Sequence, residues 1–118
     1  MAQVRIEDKT VVIHLSRAEK FGALRGDLHF PRSAVRAARV VDKPFAEIQG
    51  FRSPGTRVPG IMALGTWRRR GGDRDFVAVY CGERGIVVEV DPKASSYRRV
   101  ILSSKDPDGV RNLLAAAA

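Results

Sequence analysis

The sequence predicts a mainly β fold with a minor α component, in which about seven or eight antiparallel strands form a partly open barrel or sandwich capped by a C-terminal helix. Two observations predict this class. Four strand-like segments follow one another in the second half of the chain with no helix between them. The chain then ends in a segment with helical spacing of its apolar residues. At 118 residues we expect a single domain, 1–118.

The N-terminal elements are a predicted hairpin and a short helix. The β-branched runs 3–6 and 10–15 are joined by the polar residues 7–9, which is typical of a hairpin. Ser16 and Glu19 then have the spacing of a capping box. We therefore expect a short helix over 17–24, with Phe21 and Leu24 at helical spacing: this helix would cross the edge of the sheet.

The middle of the chain is predicted to alternate between strands and loops. A short strand over 27–31 ends at a proline, and a turn then leads into an apolar strand ending at Val41. Phe45, Ile48 and Phe51 have helical spacing and indicate a short helical piece ended by Gly50. Two prolines and two glycines fall within 52–60, which predicts a loop.

The second half is predicted to be an antiparallel meander, because each break between strands carries Gly, Asp or Pro. Its four strands are expected at 61–67, 76–81, 86–90 and 97–102. Asp106 and Pro107 then provide an N-cap and a proline at the first helical position. The following helix, expected over about 106–118, has an apolar stripe that should pack on the sheet: Val110, Leu113, Leu114 and Ala117.

The charge balance is the unusual feature of the composition. Lys and Arg number 21 against 13 Asp and Glu, which gives a net charge of +8. The positive electrostatic field of such a chain attracts anionic partners. Most of the excess positive charge comes from arginine, which binds phosphate and carboxylate groups bidentately. The alternative is that the charge is compositional and serves solubility.

The densest cationic segment is 67–75, predicted as a hairpin whose tip is Gly71-Gly72. Strand alternation places Arg68 and Arg70 on one face and Arg69 on the other. Trp67, Arg68, Arg70 and Arg74 are therefore the candidate ligand-binding residues. The alternative is a solvated hairpin tip, with Trp67 in the core and the nearby aspartates paired with the arginines.

The sequence contains no pattern typical of catalysis, metal binding or cofactor binding. Acyl transfer requires a nucleophile, a base and an orienting group, and neither His14 nor His29 lies in such a motif. One cysteine, Cys81, and two separated histidines cannot supply a closed zinc site. We therefore expect no enzyme, no metal and no cofactor. The lone cysteine, the lack of a leader-like segment and the lack of a long apolar run predict a cytoplasmic protein.

Several runs of residues spread over the chain carry a family resemblance: Phe30-Pro31-Arg32-Ser33-Ala34-Val35, Arg39 to Val41, Pro59-Gly60 leading into Gly65-Thr66-Trp67, Asp75 to Tyr80, Val87 to Val90 and Ser104 to Asp108. In these runs the chain is similar to bacterial pleckstrin-homology-like (PH-like) domain proteins, especially small actinobacterial ones. The resemblance implies a seven-stranded bent sandwich with a C-terminal capping helix and a non-catalytic role in binding or assembly. The first hairpin loop, Glu7-Asp8-Lys9, is acidic, so no inositol-phosphate site is carried over.

The sequence thus predicts a PH-like binding or scaffolding domain whose basic surface receives an anionic or protein partner. Peripheral attachment to the inner face of the membrane would be compatible with this role. The alternative is a nucleic-acid-binding module that uses the arginine-rich hairpin 67–75, with Trp67, Tyr80 and Tyr97 as possible stacking groups. Self-association through open sheet edges is also expected.

Overall fold

The computed structural model describes residues 1–116, with side chains up to Ala115. Strands account for 47% of the chain and helices for 20%, so the predicted mainly β class is confirmed. The described residues form two sheets, one of three strands and one of six. The C-terminal segment is helical, as the sequence predicts.

The three-stranded sheet contains β1 (Gln3–Glu7), β2 (Thr10–His14) and β3 (Leu28–Pro31), all antiparallel. The predicted first hairpin is therefore confirmed. Helix α1 (Arg17–Ala23) connects β2 to β3. Its capping box is present: Glu19 N–H donates to Ser16 Oγ at 3.2 Å, and Ser16 N–H donates to Glu19 Oε1 at 2.9 Å.

The six-stranded sheet contains β4 (Val35–Val41), β5 (Phe51–Val58), β6 (Met62–Arg68), β7 (Arg74–Tyr80), β8 (Gly85–Val90) and β9 (Arg99–Ser103). Its strand order is β4-β8-β9-β7-β6-β5. The four strands predicted in the second half all exist within a few residues of their expected bounds.

The predicted antiparallel meander is wrong. Strand β9 lies between β7 and β8, antiparallel to β8 and parallel to β7. Every residue of β9 is buried, which is typical of a strand covered on both faces and paired on both edges. A meander would have left this apolar strand at an edge of the sheet, where one row of its backbone groups would lack partners.

The predicted loop over 52–60 is also wrong, because most of it belongs to β5. This strand lies at the edge of the sheet, where a proline such as Pro54 removes no ladder hydrogen bond on the paired side. The register with β6 shifts between Arg52 and Gly55, which is the signature of a β-bulge. The expected helical piece before it is reduced to a 3-10 turn at Pro44–Glu47.

The six-stranded sheet is covered on both faces. Its inner face packs against the three-stranded sheet, and the main core lies between them, including Ile13, Phe30, Phe76 and Leu102. Its outer face is covered by the segment after β4 through Phe45 and Ile48. The buried outer-face residues are Ala63, Trp67, Val77, Val79, Val87 and Ile101.

Helix α2 (Pro107–Ala116) packs near β4 and β8. Its predicted N-cap is confirmed, since Gly109 N–H donates to Asp106 Oδ1 at 3.0 Å. Leu114 is 2% exposed and Val110 packs against the core. The predicted burial of Leu113 is wrong, because this side chain is 41% exposed on the flank of the stripe. Ala117 lies outside the described residues.

Nine strands and one parallel pair depart from the seven antiparallel strands that the family resemblance implies. The PH-like assignment therefore stays a prediction, and so does self-association. Neither helix among residues 1–116 has the length and apolar character required to cross a membrane.

Candidate functional site

The hairpin between β6 and β7 has the tip that the sequence predicts. Arg69 N–H donates to the Asp73 carbonyl at 2.7 Å, and Gly72 N–H donates to the Arg69 carbonyl at 3.0 Å. Gly71 and Gly72 have φ angles of 97° and 96°, a conformation that favours glycine. The turn is therefore set by the two glycines, and the arginines beside it are held at one end of the sheet.

Trp67 does not lie where the ligand-binding hypothesis requires it. Its side chain is 2% exposed and belongs to the outer-face core. A buried indole presents almost no ring surface to solvent, so Trp67 cannot stack on a partner that binds at the hairpin. Trp67 is therefore removed from the candidate contacts of this surface, in line with the alternative that the sequence left open.

Arg69 lies on the outer face, opposite Arg68, and it is committed to a buried ion pair. Its Nε is 3.1 Å from Asp75 Oδ2, and Asp75 is fully buried. Arg99 donates from Nε and Nη2 to the same oxygen at 3.1 and 2.8 Å. Arg99 Nη2 also donates to the Glu47 carbonyl at 2.9 Å. This cluster fixes the hairpin to the segment that covers the outer face.

Arg68 and Arg74 lie directly opposite each other on the inner face of the β6–β7 ladder. Neither forms an ion pair with any acidic residue in the part of the chain that the structure describes. Phe51, 59% exposed, is the β5 neighbour of Arg68. Arg70 is exposed in the turn rather than in the strand, so alternation no longer fixes its direction.

Arg25 joins these two arginines from the connection between α1 and β3. Its guanidinium carbon is 5.2 Å from the centre of the Tyr97 ring, and that of Arg74 is 5.6 Å from the same centre. Both distances are within the range of cation–π contacts. Arg25 Nη1 also donates to the Tyr97 hydroxyl at 3.3 Å, while Arg25 Nε is buried with no partner. We call Arg25, Arg68 and Arg74 the basic end.

Tyr97 is the fixed support of the basic end. The ring is 3% exposed and packs edge to face on Phe76, with 5.7 Å between ring centres. Its hydroxyl and the Thr66 hydroxyl are 2.8 Å apart. Because Phe76 and Thr66 already hold the Tyr97 side chain in place, it loses little conformational entropy when a ligand binds, which favours affinity.

Sequence reasoning missed Arg25 and Tyr97 as a pair, because 72 residues separate them. No local pattern brings a residue after α1 to a residue before β9. The one signal was the composition itself, an excess of arginine over acidic residues.

The carboxyl and phenol groups with shifted pKa values lie elsewhere and have structural partners. Tyr80, at the opposite end of β7, donates to Glu19 Oε2 at 2.7 Å, and burial together with this bond raises the pKa of Tyr80. The Lys93 N–H beside Asp91 lowers the pKa of that carboxyl. In residues 1–116 no group of three His, Cys, Asp or Glu side chains is arranged to hold a metal ion.

The basic end therefore presents several guanidinium donors on a rigid aromatic support, an arrangement chemically suited to accepting a negatively charged group. Comparison with known proteins adds no further assignment: no protein-family model, curated protein or solved structure matches this chain.

Proposed function

We propose that this chain is a non-catalytic binding domain, of the PH-like type that the sequence suggests, whose basic end binds an anionic partner. One observation carries the proposal. Arg25, Arg68 and Arg74 come together at one end of the inner face with no acidic partner among the described residues.

The physical reason is that like charges held together are costly unless an anion joins them. Eleven contacts between a Lys or Arg side chain and an acidic side chain occur in the described chain, so acidic partners are present elsewhere in the fold. The basic end lacks them, and Arg25 Nε remains an unpaired buried donor. A phosphate or carboxylate group would accept from several of these donors at once.

The same arrangement supports binding rather than catalysis. The groups that converge there are guanidinium groups and one tyrosine. The Tyr97 hydroxyl already bonds with Thr66. General acid–base chemistry needs a group whose pKa lies near the working pH, and arginine is always charged.

The nucleic-acid alternative has weaker support. Single-stranded nucleic acids are bound by stacking bases on exposed aromatic rings, yet Trp67 and Tyr97 are 2% and 3% exposed. The remaining arguments for a polynucleotide are charge and the exposed Phe51 ring beside Arg68.

A salt-graded binding series tests the proposal. The full chain is titrated with inorganic polyphosphate, with phosphatidylserine vesicles, with a single-stranded oligonucleotide and with neutral phosphatidylcholine vesicles. We expect binding to at least one anionic probe that weakens steeply between about 50 and 150 mM salt, and none to the neutral vesicles.

The probes also separate the possible partners. Preference for phosphatidylserine would place the protein at the inner membrane face, and preference for the oligonucleotide would favour the alternative. Absence of binding to all three anionic probes at low salt would overturn the proposal.

A further inference from the structure

Exposed apolar side chains gather around the basic end. The three most exposed large apolar side chains of the described chain are Phe21, Leu24 and Phe51, at 83%, 67% and 59%. Single apolar side chains on a protein surface are ordinary, whereas a group of them indicates a surface that meets another protein or a membrane. Their position relative to the arginines therefore decides what they imply.

Helix α1 runs along the sheet from the far end of β7 to the basic end. Near the start of the helix, Glu19 accepts from the hydroxyl of Tyr80, the last residue of β7, at 2.7 Å. Just after its end, Arg25 donates to the Tyr97 hydroxyl at 3.3 Å. Leu24, the C-cap residue of α1, directly precedes Arg25. The helix therefore brings Leu24 to the basic end.

Phe21 and Leu24 lie together on the solvent side of α1. The buried residues of this helix are Glu19 and Ala23, and Phe21 lies between them in sequence, so it projects from the opposite side. Residues three apart are neighbours on a helix surface. Phe21 and Leu24 therefore form one exposed apolar surface that leads to the basic end.

Phe51 adds an aromatic ring from β5. It lies opposite Arg68 in the β5–β6 ladder, and Arg68 lies opposite Arg74 in the β6–β7 ladder. Residues directly opposite each other in paired strands share a face, so Phe51 stands on the inner face with the two arginines. Helix α1 packs over β5 and β6. We call Phe21, Leu24 and Phe51 the apolar rim of the basic end.

Leu24 occupies its position at a conformational cost. Its φ is 55°, in the left-handed region, which favours glycine or asparagine at the end of a helix. Asp8, the other non-glycine residue of the described chain with a positive φ, belongs to a type that tolerates this conformation. The exposed Leu24 side chain gains little from packing. Neither the backbone nor the core thus explains a leucine here, which points to a contact outside the chain.

We propose that the basic end and the apolar rim together form a docking surface for an anionic lipid bilayer. This inference rests on the proposed function and names its partner. The arginines would bind lipid phosphate and carboxylate groups, while the rim enters the boundary between headgroups and acyl chains. An anion in water would use the arginines alone. A nucleic acid could stack on Phe51, but Leu24 has no ring on which a base could stack.

Two pairs of substitutions test the rim. Phe21→Gln/Leu24→Asn makes the rim polar and keeps a residue that favours the left-handed cap. Ile61→Gln/Leu113→Gln is the matched control, since Ile61 and Leu113 are 58% and 41% exposed outside the rim. The rim variant should bind mixed phosphatidylserine–phosphatidylcholine vesicles at least about tenfold more weakly than the unsubstituted chain. The control should change by less than about twofold, and circular dichroism checks that both variants fold.

Inorganic polyphosphate separates failure of this inference from failure of the proposed function. The rim variant should keep its polyphosphate affinity within about twofold, because polyphosphate offers no apolar phase. Arg68→Gln/Arg74→Gln should weaken the binding of both vesicles and polyphosphate. A rim variant that binds vesicles as tightly as the control would overturn the docking surface and leave the basic end standing. Absence of binding to both probes would overturn both.

Insertion of the rim can be measured without making it polar, so the test remains even if the polar variant does not fold. Phe21→Trp places an indole on the rim, and Ile61→Trp places one at the turn between β5 and β6. The native Trp67 is buried and gives the same background in both. On vesicles whose acyl chains are brominated, the fluorescence of Phe21→Trp should be quenched and that of Ile61→Trp should not. Equal quenching, or none, would overturn the proposal.

Discussion

Asp27 shows how a single carboxylate joins separate parts of the chain. Its Oδ1 accepts from the Leu15 N–H at 2.8 Å, and its Oδ2 lies 3.0 Å from His14 Nδ1. Lys20 Nζ is 3.6 Å from Oδ1. The Leu15 hydrogen bond, together with His14 and Lys20, lowers the pKa of Asp27 from 3.8 to about 2. The carboxylate therefore ties the end of β2 to α1 and to the start of β3.

This pKa makes a stability prediction with a definite sign. Because the pKa is lower in the folded chain, the stabilisation is fully present above 3.8 and is lost as the pH falls through about 2. Asp27→Asn should lower the free energy of unfolding by about 1–2 kcal/mol at neutral pH. Urea unfolding at a series of pH values should show this difference shrinking below about pH 4. A difference that stays constant down to the lowest pH would contradict the assignment.

At the scale of the element, only part of the apolar stripe of α2 packs against the sheet. Leu114 is 2% exposed and Leu113 is 41% exposed. Helical residues one apart point in directions that differ by about 100°, so the two neighbours cannot both face the sheet fully. The sequence pattern identified the stripe, but only the position of β4 and β8 selects which leucine is central.

We therefore predict unequal costs for the two truncations. Leu114→Ala should lower the free energy of unfolding by about 2–4 kcal/mol, because it leaves a cavity in the main core. Leu113→Ala should change it by less than about 1 kcal/mol. Chemical denaturation of the two variants measures both values, and equal costs would mean that the helix docks differently.

The β6–β7 hairpin offers a second matched pair of variants. Asp75 is fully buried between Arg99 and Arg69, whereas the Asp73 side chain is 45% exposed and lies 4.0 Å from Arg69. Removing one partner of a buried ion pair leaves an uncompensated charge and costs about 3–5 kcal/mol. An exposed pair contributes at most about 1 kcal/mol.

Asp75→Asn should accordingly destabilise the chain by about 3 kcal/mol or more, and Asp73→Asn by less than about 1 kcal/mol. Thermal and urea unfolding of the two variants provide the comparison. A loss for Asp75→Asn as small as that for Asp73→Asn would show that Asp75 does not anchor the hairpin.

At the scale of the whole molecule, local patterns predicted the elements better than their arrangement. The capping box of Ser16 and Glu19, the Asp106 N-cap and the Gly71-Gly72 turn depend on neighbouring residues, and the structure has all three. The order of the strands depends on contacts between distant segments. The apolar residues of β9 predicted a strand, but they did not indicate which strands lie beside it, and the meander placed it at the edge of the sheet.

The candidate site shows the same contrast between features set by neighbouring residues and features set by contacts between distant segments. Strand alternation correctly separated Arg68 from Arg69, because this depends on the strand alone. It does not apply to Arg70, which lies in the turn after the strand has ended. The contact between Arg25 and Tyr97 and the register shift between Arg52 and Gly55 depend on long-range packing, which no local pattern encodes.

The net charge of +8 acts on every anion that approaches, so the central claim must be separated from this general field. Arg17 and Arg111 provide the control, since Arg17 begins α1 at the Tyr80 end of β7 and Arg111 lies on α2 beside Asp108. Arg17→Gln/Arg111→Gln removes as much charge as Arg68→Gln/Arg74→Gln.

The decisive measurement is the affinity of these two variants for inorganic polyphosphate at one physiological salt concentration. The basic end predicts that Arg68→Gln/Arg74→Gln loses about tenfold or more in affinity, because phosphate contacts are removed. The control variant should lose no more than about threefold, which reflects the screened general field. Equal losses in the two variants would show that the attraction is global and that the basic end is not a binding site.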